Sequence, residues 1–319
     1  MIITVTLNAV IDKSLSVPSF RLARRHRTVD QTTMAGGKGV NIARALKMLG
    51  QPVIATGFAG GPTGTRIVEQ LTHESILNDF VRIREESRTN MAVHDPTNGE
   101  TTEVNERGPA VTAGEVELFR DKLLYLARGA DIVVIAGSLP RGVDPEIYAG
   151  LIRDLRKMGV TTVVDTDGEP LRHAARAEPD IVSPNVIEAE ELVGHEFNDD
   201  EDRAIAVREM VGIGPHGAIM TLPDGCVACV TDGGERRLLR VWIDPREVVA
   251  AVGSGDAFLA GFVASRYEGN THEDALRFGV ACGAESTMRL GAGLIDPRAV
   301  DRMLAETSIE RLALTADVA

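Results

Sequence analysis

The residues best suited to chemistry lie in the segment Gly253-Ser254-Gly255-Asp256, which directly precedes a helical run ending at Arg266. Glycines before a helix leave backbone N–H groups free to bind an anion, and the helix dipole favours negative charge at that end. A carboxylate in the first turn, here Asp256, can accept the proton of a hydroxyl group while the amides hold a phosphoryl group. An ordinary helix capped by aspartate would produce the same local pattern.

A second glycine-rich segment, Gly36-Gly37-Lys38-Gly39, is followed by Asn41 at the start of another predicted helix. Its glycines would let the backbone approach a ligand closely. The alternative is a surface loop with a solvated lysine. The segment is not a Walker A loop, and no strand leads into G-x-G-x-x-G, so the sequence argues against a dinucleotide oxidoreductase.

Polar side chains also follow the first predicted strand and a later one. Asn8 and Asp12 come just after the first strand, at the end where open α/β sheets bind ligands. They could bind sugar hydroxyls, or simply form a turn. Asn185 and Glu188 open a helix after another buried strand, where they could meet hydrated Mg²⁺. Helix capping by this pair is the alternative, and both can hold.

Two short basic segments could bind a phosphate. They are Arg24-Arg25-His26-Arg27 and Arg88-Thr89-Asn90. Arginine pairs well with phosphate because its guanidinium donates two parallel hydrogen bonds. A solvated surface is the alternative for the first segment.

The elements that must position these residues alternate between strands and helices. Apolar β-branched runs predict buried strands, and amphipathic stretches between them predict helices. This alternation predicts an α/β fold with a doubly wound, mostly parallel sheet flanked by helices. Residues 254–304 are predicted helical throughout. The predicted helices before them are Gly39–Leu49, Thr63–Thr72, Ala113–Ala127, Pro145–Met158, Ile187–Val193 and Arg203–Val211, and the predicted strands are Ile2–Asn8, Pro52–Phe58, Asp131–Ala136, Thr161–Asp165, Asp180–Ser183 and Gly217–Thr221.

Two stretches interrupt this alternation, at about residues 12–34 and 87–105. The second contains a predicted turn at Pro96-Thr97-Asn98-Gly99 between short alternating strands. We therefore expect one domain over residues 1–319, with a small β-sheet lid formed by these two stretches.

Charge and composition exclude several classes of protein. The 319 residues carry a formal net charge of −13, which argues against binding to nucleic acid or to an anionic membrane. The sequence has no apolar run of membrane-spanning length and no signal peptide pattern at its start, so we expect a cytoplasmic protein. Cys226 and Cys229 form a C-x-x-C motif within an apolar run, and buried structural thiols are the favoured interpretation over a redox or metal site.

In this order along the chain, the motifs resemble the PfkB family of ribokinase-like carbohydrate kinases, and most of all its 1-phosphofructokinase and tagatose-6-phosphate kinase branch. The resemblance covers residues 6–262 and the helical tail fits the remainder. It is carried by TLNxxxD (6–12), GGKGVNIARALKMLG (36–50), SRTN (87–90), TEVNERGP (102–109), GSLPRGV (137–143), PNxxE (184–188) and GSGDAFLAGF (253–262).

The resemblance implies a ribokinase-like fold and transfer of a phosphoryl group from ATP, with Mg²⁺, to a hydroxyl of a hexose phosphate. Fructose 1-phosphate, giving fructose 1,6-bisphosphate, is the first candidate and tagatose 6-phosphate the next. It implies a homodimer joined through the lid. The implied roles are a catalytic base at Asp256, an anion hole at Gly253, Ser254 and Gly255, substrate contacts at Asn8, Asp12, Arg27 (or Arg25), Gly37, Lys38, Asn41, Arg88, Asn90 and Ser138, and ATP or Mg²⁺ contacts at Asn185, Glu188, Thr221 and Gly225.

The chain departs from the family pattern on the predicted nucleotide side. Ser183 stands where a lysine is usual, and Thr221-Leu222-Pro223-Asp224-Gly225 is shorter than the usual turn. Pro223 has no backbone N–H to offer a nucleotide. A relative that binds sugar phosphate or nucleotide without catalysis is therefore the alternative of another class.

Overall fold

The computed structural model describes residues 1–289 and 291–313. The described residues form the strands β1 (Ile2–Thr6), β2 (Val10–Ser16), β3 (Asp30–Gly36), β4 (Val53–Gly60), β5 (Leu77–Asn78), β6 (Val81–Ile83), β7 (Arg88–Asp95), β8 (Glu100–Val104), β9 (Ile132–Ala136), β10 (Thr161–Asp165), β11 (Ile181–Val182), β12 (Gly217–Leu222), β13 (Gly225–Asp232), β14 (Glu235–Trp242) and β15 (Ser308–Arg311). The helices are α1 (Lys38–Met48), α2 (Gly61–His73), α3 (Ala113–Ala127), α4 (Ile147–Lys157), α5 (Gly168–Arg176), α6 (Val186–Val193), α7 (Asp200–Ile213), α8 (Ser254–Tyr267), α9 (His272–Ser286) and α10 (Pro297–Leu304).

The main sheet has the order β15-β14-β13-β12-β11-β10-β9-β1-β4-β5, with β6 also paired to β4. The pairs from β5 to β12 are parallel, and β13, β14 and β15 extend the sheet with antiparallel pairs. The predicted ribokinase-like, mostly parallel α/β fold is confirmed. The sequence did not predict the antiparallel strands β13, β14 and β15 or helix α5.

Both faces of this sheet are covered, which is why its central strands are continuously apolar. Two hydrophobic cores lie on opposite faces of the sheet, and alternate residues of β1 pack into different ones. Ile2 packs into the first core, with α1, α2, α8, α9 and α10. Ile3 packs into the second core, with α3, α4, α5 and α7. None of the helices among the described residues is long and apolar enough to cross a membrane.

The C-x-x-C motif lies within β13, and its two thiols are divided between these cores. Cys226 packs in the first core and Cys229 in the second, because residues three apart in a strand point to opposite faces. Burial raises the pKa of the Cys226 thiol to about 12. The favoured interpretation as buried structural thiols agrees with this placement.

The prediction of continuous helix over residues 254–304 is wrong in part. The segment forms α8, α9 and α10, and Gly269, with φ 85°, lies in the turn that ends α8. A longer loop separates α9 from α10 and brings Ala292 against Gly253. Periodicity alone did not reveal these breaks, although Gly269-Asn270-Thr271 between α8 and α9 is itself a turn and capping signal.

A separate small sheet has the order β3-β2-β7-β8, within the two stretches predicted to leave the main fold. Strands β2 and β7 are parallel and place Asp12 beside Asn90. The small sheet is thus confirmed, whereas its movement as a lid over a single 1–319 domain stays a prediction.

Helix α1 packs directly against β1, and Gly39 makes this approach possible. A Cβ at Gly39 would lie 2.4 Å from the Thr6 Oγ1 and 2.6 Å from the Val5 carbonyl oxygen. Because the neighbouring atoms include backbone, any side chain here would push the start of α1 away from the sheet.

We therefore expect Gly39→Ala to lower the free energy of unfolding by about 1–3 kcal/mol, as overpacking does. Gly114→Ala is the matched control, since Gly114 also lies in the first turn of a helix but has no atom within 4 Å of its added Cβ. The control should be neutral or gain up to about 1 kcal/mol from helix propensity. Urea denaturation measures both, and equal stability of the two variants would contradict the packing argument.

Candidate active site

The polar residues singled out in the sequence gather at the carboxyl ends of neighbouring parallel strands. Asn8 follows β1, Ser138 follows β9, Asp165 ends β10, and Asn185 follows β11. Because β11, β10, β9 and β1 are adjacent in the sheet, these residues form one row along its edge. The first turns of α1 and α8 contribute Asn41 and Asp256 to the same region.

The carboxyl group of Asp256 is a deeply buried acid of the site. The residue is 6% exposed, and its Oδ2 accepts a 2.8 Å hydrogen bond from the Asn41 Nδ2. Burial, together with the charge of Asp165, raises the pKa of Asp256 to about 7, against the lowering effects of Asn41 and Lys38. A carboxyl group poised near neutrality is suited to accept a proton from a hydroxyl group.

The N-terminus of α8 presents its backbone next to this carboxyl group. Gly253 caps the helix with φ 85°, and Ala292 packs so closely that a Cβ on Gly253 would lie 2.7 Å from the alanine Cβ. The N–H of Ser254 already donates to the Ala251 carbonyl at 3.2 Å. Gly255 is exposed at the surface, so its amide is the one best placed to meet an anion.

Lys38 forms a cluster with two acids, one at the end of β10 and one in the first turn of α6. Its Nζ lies 2.7 Å from the Asp165 Oδ1 and 3.3 Å from the Glu188 Oε1. Although burial opposes the charge of Lys38, these two carboxylates raise its pKa well above the ordinary value. Burial, together with the charge of Asp165, raises the pKa of Glu188 against the opposing charge of Lys38. The cluster has two carboxylate groups for one ammonium group, and a hydrated cation could bind to these carboxylates.

Asn185 and Glu188 cap α6 as the sequence predicted. The Asn185 side chain accepts from the Glu188 N–H, and the Glu188 side chain accepts from the Asn185 N–H. Only one oxygen of Glu188 serves this capping box, and the other faces Lys38. The capping and the charged roles therefore coexist in one carboxylate.

The predicted nucleotide loop lies beside this helix. The N–H of Thr221 donates to the Pro184 carbonyl at 3.0 Å, and Thr221 forms a bridge with Asn185. Gly225 begins β13 after the turn and pairs with both Leu222 and Trp242. The structure thus brings Thr221 and Asn185 together.

The small sheet supplies the other side of the site. Asp12 Oδ1 accepts a 3.1 Å hydrogen bond from the Asn90 Nδ2, and burial raises the pKa of Asp12. The Arg88 Nε donates to the backbone carbonyl of Asn8 at 3.2 Å, and the Asn8 Nδ2 donates to the Ser138 Oγ at 3.3 Å. These contacts join the end of β1, the loop after β9 and the small sheet.

An open cleft lies next to Arg88, with a volume of about 370 Å³. Arg107 and Arg141 also line it, together with glutamates 85, 86 and 106. A phosphate group entering this cleft would meet several guanidinium groups. By contrast, Arg27 lies exposed in the loop between β2 and β3, and none of the contacts in the described part of the chain joins it to the other candidates.

The residues present fit a hydrated magnesium ion carried by a phosphate better than a metal held by protein alone. No cluster of three or more His, Cys, Asp or Glu side chains suited to a metal occurs in residues 1–289 and 291–313. Mg²⁺ keeps several waters and is usually bound by one or two carboxylates plus substrate phosphates. Glu188 and Asp165 provide carboxylates of that kind.

Sequence reasoning missed two residues of the site. Asp165 was placed only as the end of a strand, although an acid at the carboxyl end of an apolar strand is itself a signal. Arg44 was noted only within a motif, yet it is 3% exposed and donates to the Asn41 Oδ1. An arginine on the apolar face of a helix was the available signal for its burial.

The family model described as pfkB family carbohydrate kinase matches residues 5–298. A 1-phosphofructokinase from Borreliella burgdorferi is 31% identical over 310 residues, covering 97% of this chain and 98% of that protein. A tagatose-6-phosphate kinase from Staphylococcus epidermidis is also 31% identical, over 97% of this chain and 99% of that protein.

Solved structures agree with this similarity. Phosphofructokinase-2 from Escherichia coli in complex with fructose-6-phosphate is 30% identical with a TM-score of 0.86, covering 95% of this chain and 98% of that one. Ribokinase from Arabidopsis thaliana, at 23% identity, shares the fold with a TM-score of 0.74 over 95% of this chain and 98% of that one.

The buried Asp256 makes a prediction about stability. Its pKa of about 7 in the folded protein exceeds the ordinary 3.8, so the native state binds an extra proton between those pH values. The stability that this group contributes is therefore present below pH 4 and is lost as pH rises to about 7. We expect Asp256→Asn to gain stability relative to the parent across this window, by as much as about 4 kcal/mol above pH 7.

Urea denaturation of both proteins at several pH values between 5 and 8 measures this difference. Asp12 and Glu188 titrate in both proteins, so the difference isolates Asp256. A difference that stays constant over the range would show that the Asp256 pKa is not raised.

Proposed function

The chain belongs to the PfkB family of carbohydrate kinases, and from that premise we propose that it phosphorylates a hexose phosphate, with fructose 1-phosphate as the first candidate. The product would then be fructose 1,6-bisphosphate, with ATP as donor. Enzymes of this family are phosphotransferases with an alcohol group as acceptor. What this chain adds is the arrangement of its own residues around the acceptor hydroxyl.

One observation carries the proposal: the buried Asp256 carboxyl group with its pKa of about 7, next to the exposed residue Gly255 at the N-terminus of α8. The carboxylate would accept the proton of the attacking hydroxyl, and the amides at the N-terminus of α8 would stabilise charge on the transferring phosphoryl group. Asn41 would hold the carboxylate toward the acceptor. In this assignment Gly253 and Ser254 shape the anion hole, and Gly255 donates to the phosphoryl group.

The cluster of Lys38, Asp165 and Glu188 supports a place for the donor phosphates. Mg²⁺, when bound with ATP, would neutralise charge on the phosphates, and Glu188 would hold it through water. Lys38 could contact the transferring group once the phosphates compete for its ammonium. Asn185, Thr221 and Gly225 would lie along the nucleotide.

The small-sheet side supports a phosphorylated acceptor. Asp12, Asn8, Gly37 and Asn90 offer hydrogen-bonding groups for sugar hydroxyls, and Arg88 with Ser138 would bind the substrate phosphate. The cleft that Arg107 and Arg141 line next to Arg88 leaves room for such a group. These arginines have protein partners, since Arg88 donates to the Asn8 carbonyl and Arg141 pairs with Glu85, and a substrate phosphate would compete for them.

Tagatose 6-phosphate is the second candidate acceptor, because a tagatose-6-phosphate kinase is as similar to this chain as a 1-phosphofructokinase. A relative that binds without catalysis is the candidate of another class. Pro223 and Ser183 favour it, since both positions lack a group that would help to bind ATP.

The test is an assay of ADP release with fructose 1-phosphate, tagatose 6-phosphate, fructose 6-phosphate, fructose and ribose as acceptors. We expect turnover with a hexose phosphate, and Asp256→Asn should lower kcat at least ~10²-fold with little change in the Kd of the sugar phosphate. Turnover only with unphosphorylated sugars would refute the proposed substrate class. Sugar-phosphate binding by calorimetry without turnover would favour the non-catalytic relative.

We also propose a homodimer joined through the small sheet. Strands β7 and β8 and the loop between β2 and β3 expose large apolar side chains: Met91 (39%), Val104 (64%), Val29 (68%) and Leu22 (85%). Met91 and Val104 are cross-strand partners, so they share one face of the sheet. A second copy would remove this apolar surface from water.

We expect Val104→Asp to convert the dimer to monomer, because it places a charge in that surface. Light scattering after size-exclusion chromatography at micromolar protein measures the mass. Leu118→Asp on α3 is the control, since Leu118 is similarly exposed at 60% but lies outside the small sheet. A parent protein that is already monomeric would contradict the proposal.

A further inference from the structure

Arg44 is a buried arginine that lies behind the candidate base. The residue is 3% exposed on α1, and its guanidinium pairs with Glu74, the Nε lying 2.6 Å from the Oε2. The Nη2 donates to the Ala35 carbonyl at 2.7 Å. The Nη1 donates to the Ala292 carbonyl at 3.1 Å and to the Asn41 Oδ1 at 3.3 Å.

The bond to Asn41 determines which way that amide points. Because a guanidinium only donates, it must face the amide oxygen of Asn41. The amide nitrogen then faces the carboxylate of Asp256, to which it donates at 2.8 Å. The opposite orientation would place an N–H₂ group against the guanidinium and a carbonyl oxygen against the carboxylate, and both contacts would be repulsive.

The other two acceptors of Arg44 belong to segments that shape the same site. Ala35 directly precedes the glycines before α1, and Ala292 packs on Gly253 at the start of α8. One side chain thereby ties the start of α1 to the loop that supports the candidate anion hole.

We propose that Arg44 is a positioning residue for phosphoryl transfer, which orients Asn41 toward Asp256 and ties the loop at Ala292 to α1. This inference rests on the proposed role of Asp256 as base. Arg44 touches neither substrate nor the reacting atoms, and it acts through Asn41.

The variant that tests this role is Arg44→Lys. A lysine keeps a positive charge beside the partly exposed Glu74, so that carboxylate is not left without a cation. Its single ammonium group, however, cannot donate to Asn41, Ala35 and Ala292 in the fixed directions of a guanidinium. The variant therefore separates orientation of Asn41 from charge balance.

Three other charged groups act on the pKa of Asp256, and each must keep its position in Arg44→Lys. They are Asp165 at the end of β10, Lys38 in the first turn of α1, and Asp12 on β2. None of them is hydrogen bonded to Arg44 in the contacts of residues 1–289 and 291–313. Arg44 acts on Asp12 through its charge, and lysine keeps that charge, so a shift in the titration of Asp256 in Arg44→Lys would report on Asn41.

We expect Arg44→Lys to move the acidic limb of the pH profile of kcat upward by about one pH unit, since a hydrogen bond to a charged group has roughly that effect. At pH 7 the kcat should fall about fivefold to tenfold, and at pH 9 most of it should return. In an Asn41→Ala background, Arg44→Lys should cause little further change in the pH profile, because Arg44 affects Asp256 only through Asn41.

Two further variants keep the test decisive. Arg277→Met is the control for the general effect of removing a guanidinium that hydrogen-bonds to backbone carbonyls. Arg277 donates to the Leu304 and Thr307 carbonyls and contacts none of the candidate site residues in the described part of the chain. It should leave the pH profile unchanged. If Arg44→Lys does not fold, Glu74→Ala, which loosens the guanidinium from its 27%-exposed partner, should shift the limb in the same direction by less.

The outcomes separate this inference from the proposed function. An unchanged pH profile in both Arg44→Lys and Glu74→Ala, with only the melting temperature lowered, would overturn the positioning role. If Asp256→Asn retains full turnover, the proposed base is wrong instead, and the Arg44 inference fails with it.

Discussion

The contact between the first turns of α1 and α8 is the interaction on which the rest of the site depends. It consists of one hydrogen bond between Asn41 and Asp256, made where both residues are buried. A buried carboxyl group costs stability when it ionises, and the fold retains it because α1 lies directly against β1 and α8 lies against α1. The glycine at position 39 allows that close packing.

The charges of the site explain how an acidic protein can bind anions. The formal net charge of −13 is a sum over the whole chain and does not show where the positive groups lie. Lys38 is held in the site by a carboxylate partner, and Arg88 by a backbone carbonyl. Lys38 lies between Asp165 and Glu188, so phosphates and a hydrated cation would rearrange an existing charge cluster. The acidic surface disfavours polyanions in general, and under the proposed function the local cations would bind small anions.

The elements of the main fold could be predicted from apolar periodicity where strands are buried on both faces. Strand β10 and helix α3 match their predicted bounds, and the small sheet arises from the two stretches that were singled out. Strands β13 to β15 were not predicted, although β13 contains the apolar run 226–230, whereas β14 and β15 mix polar and apolar residues. The breaks between α8, α9 and α10 escaped prediction although both linkers contain glycine, because apolar runs resume on either side of them.

By itself, the sequence determined the family, the order of the elements, and the residue types at the strand ends and helix starts. Those features are local, and spacing along the chain expresses them directly. Only the tertiary structure decided that Lys38 faces Asp165 and Glu188, and that Arg44 lies behind Asn41. These contacts join residues from different elements, so their distances depend on how the helices pack on the sheet. The raised pKa of Asp256 has the same origin, because burial is a property of the assembled fold.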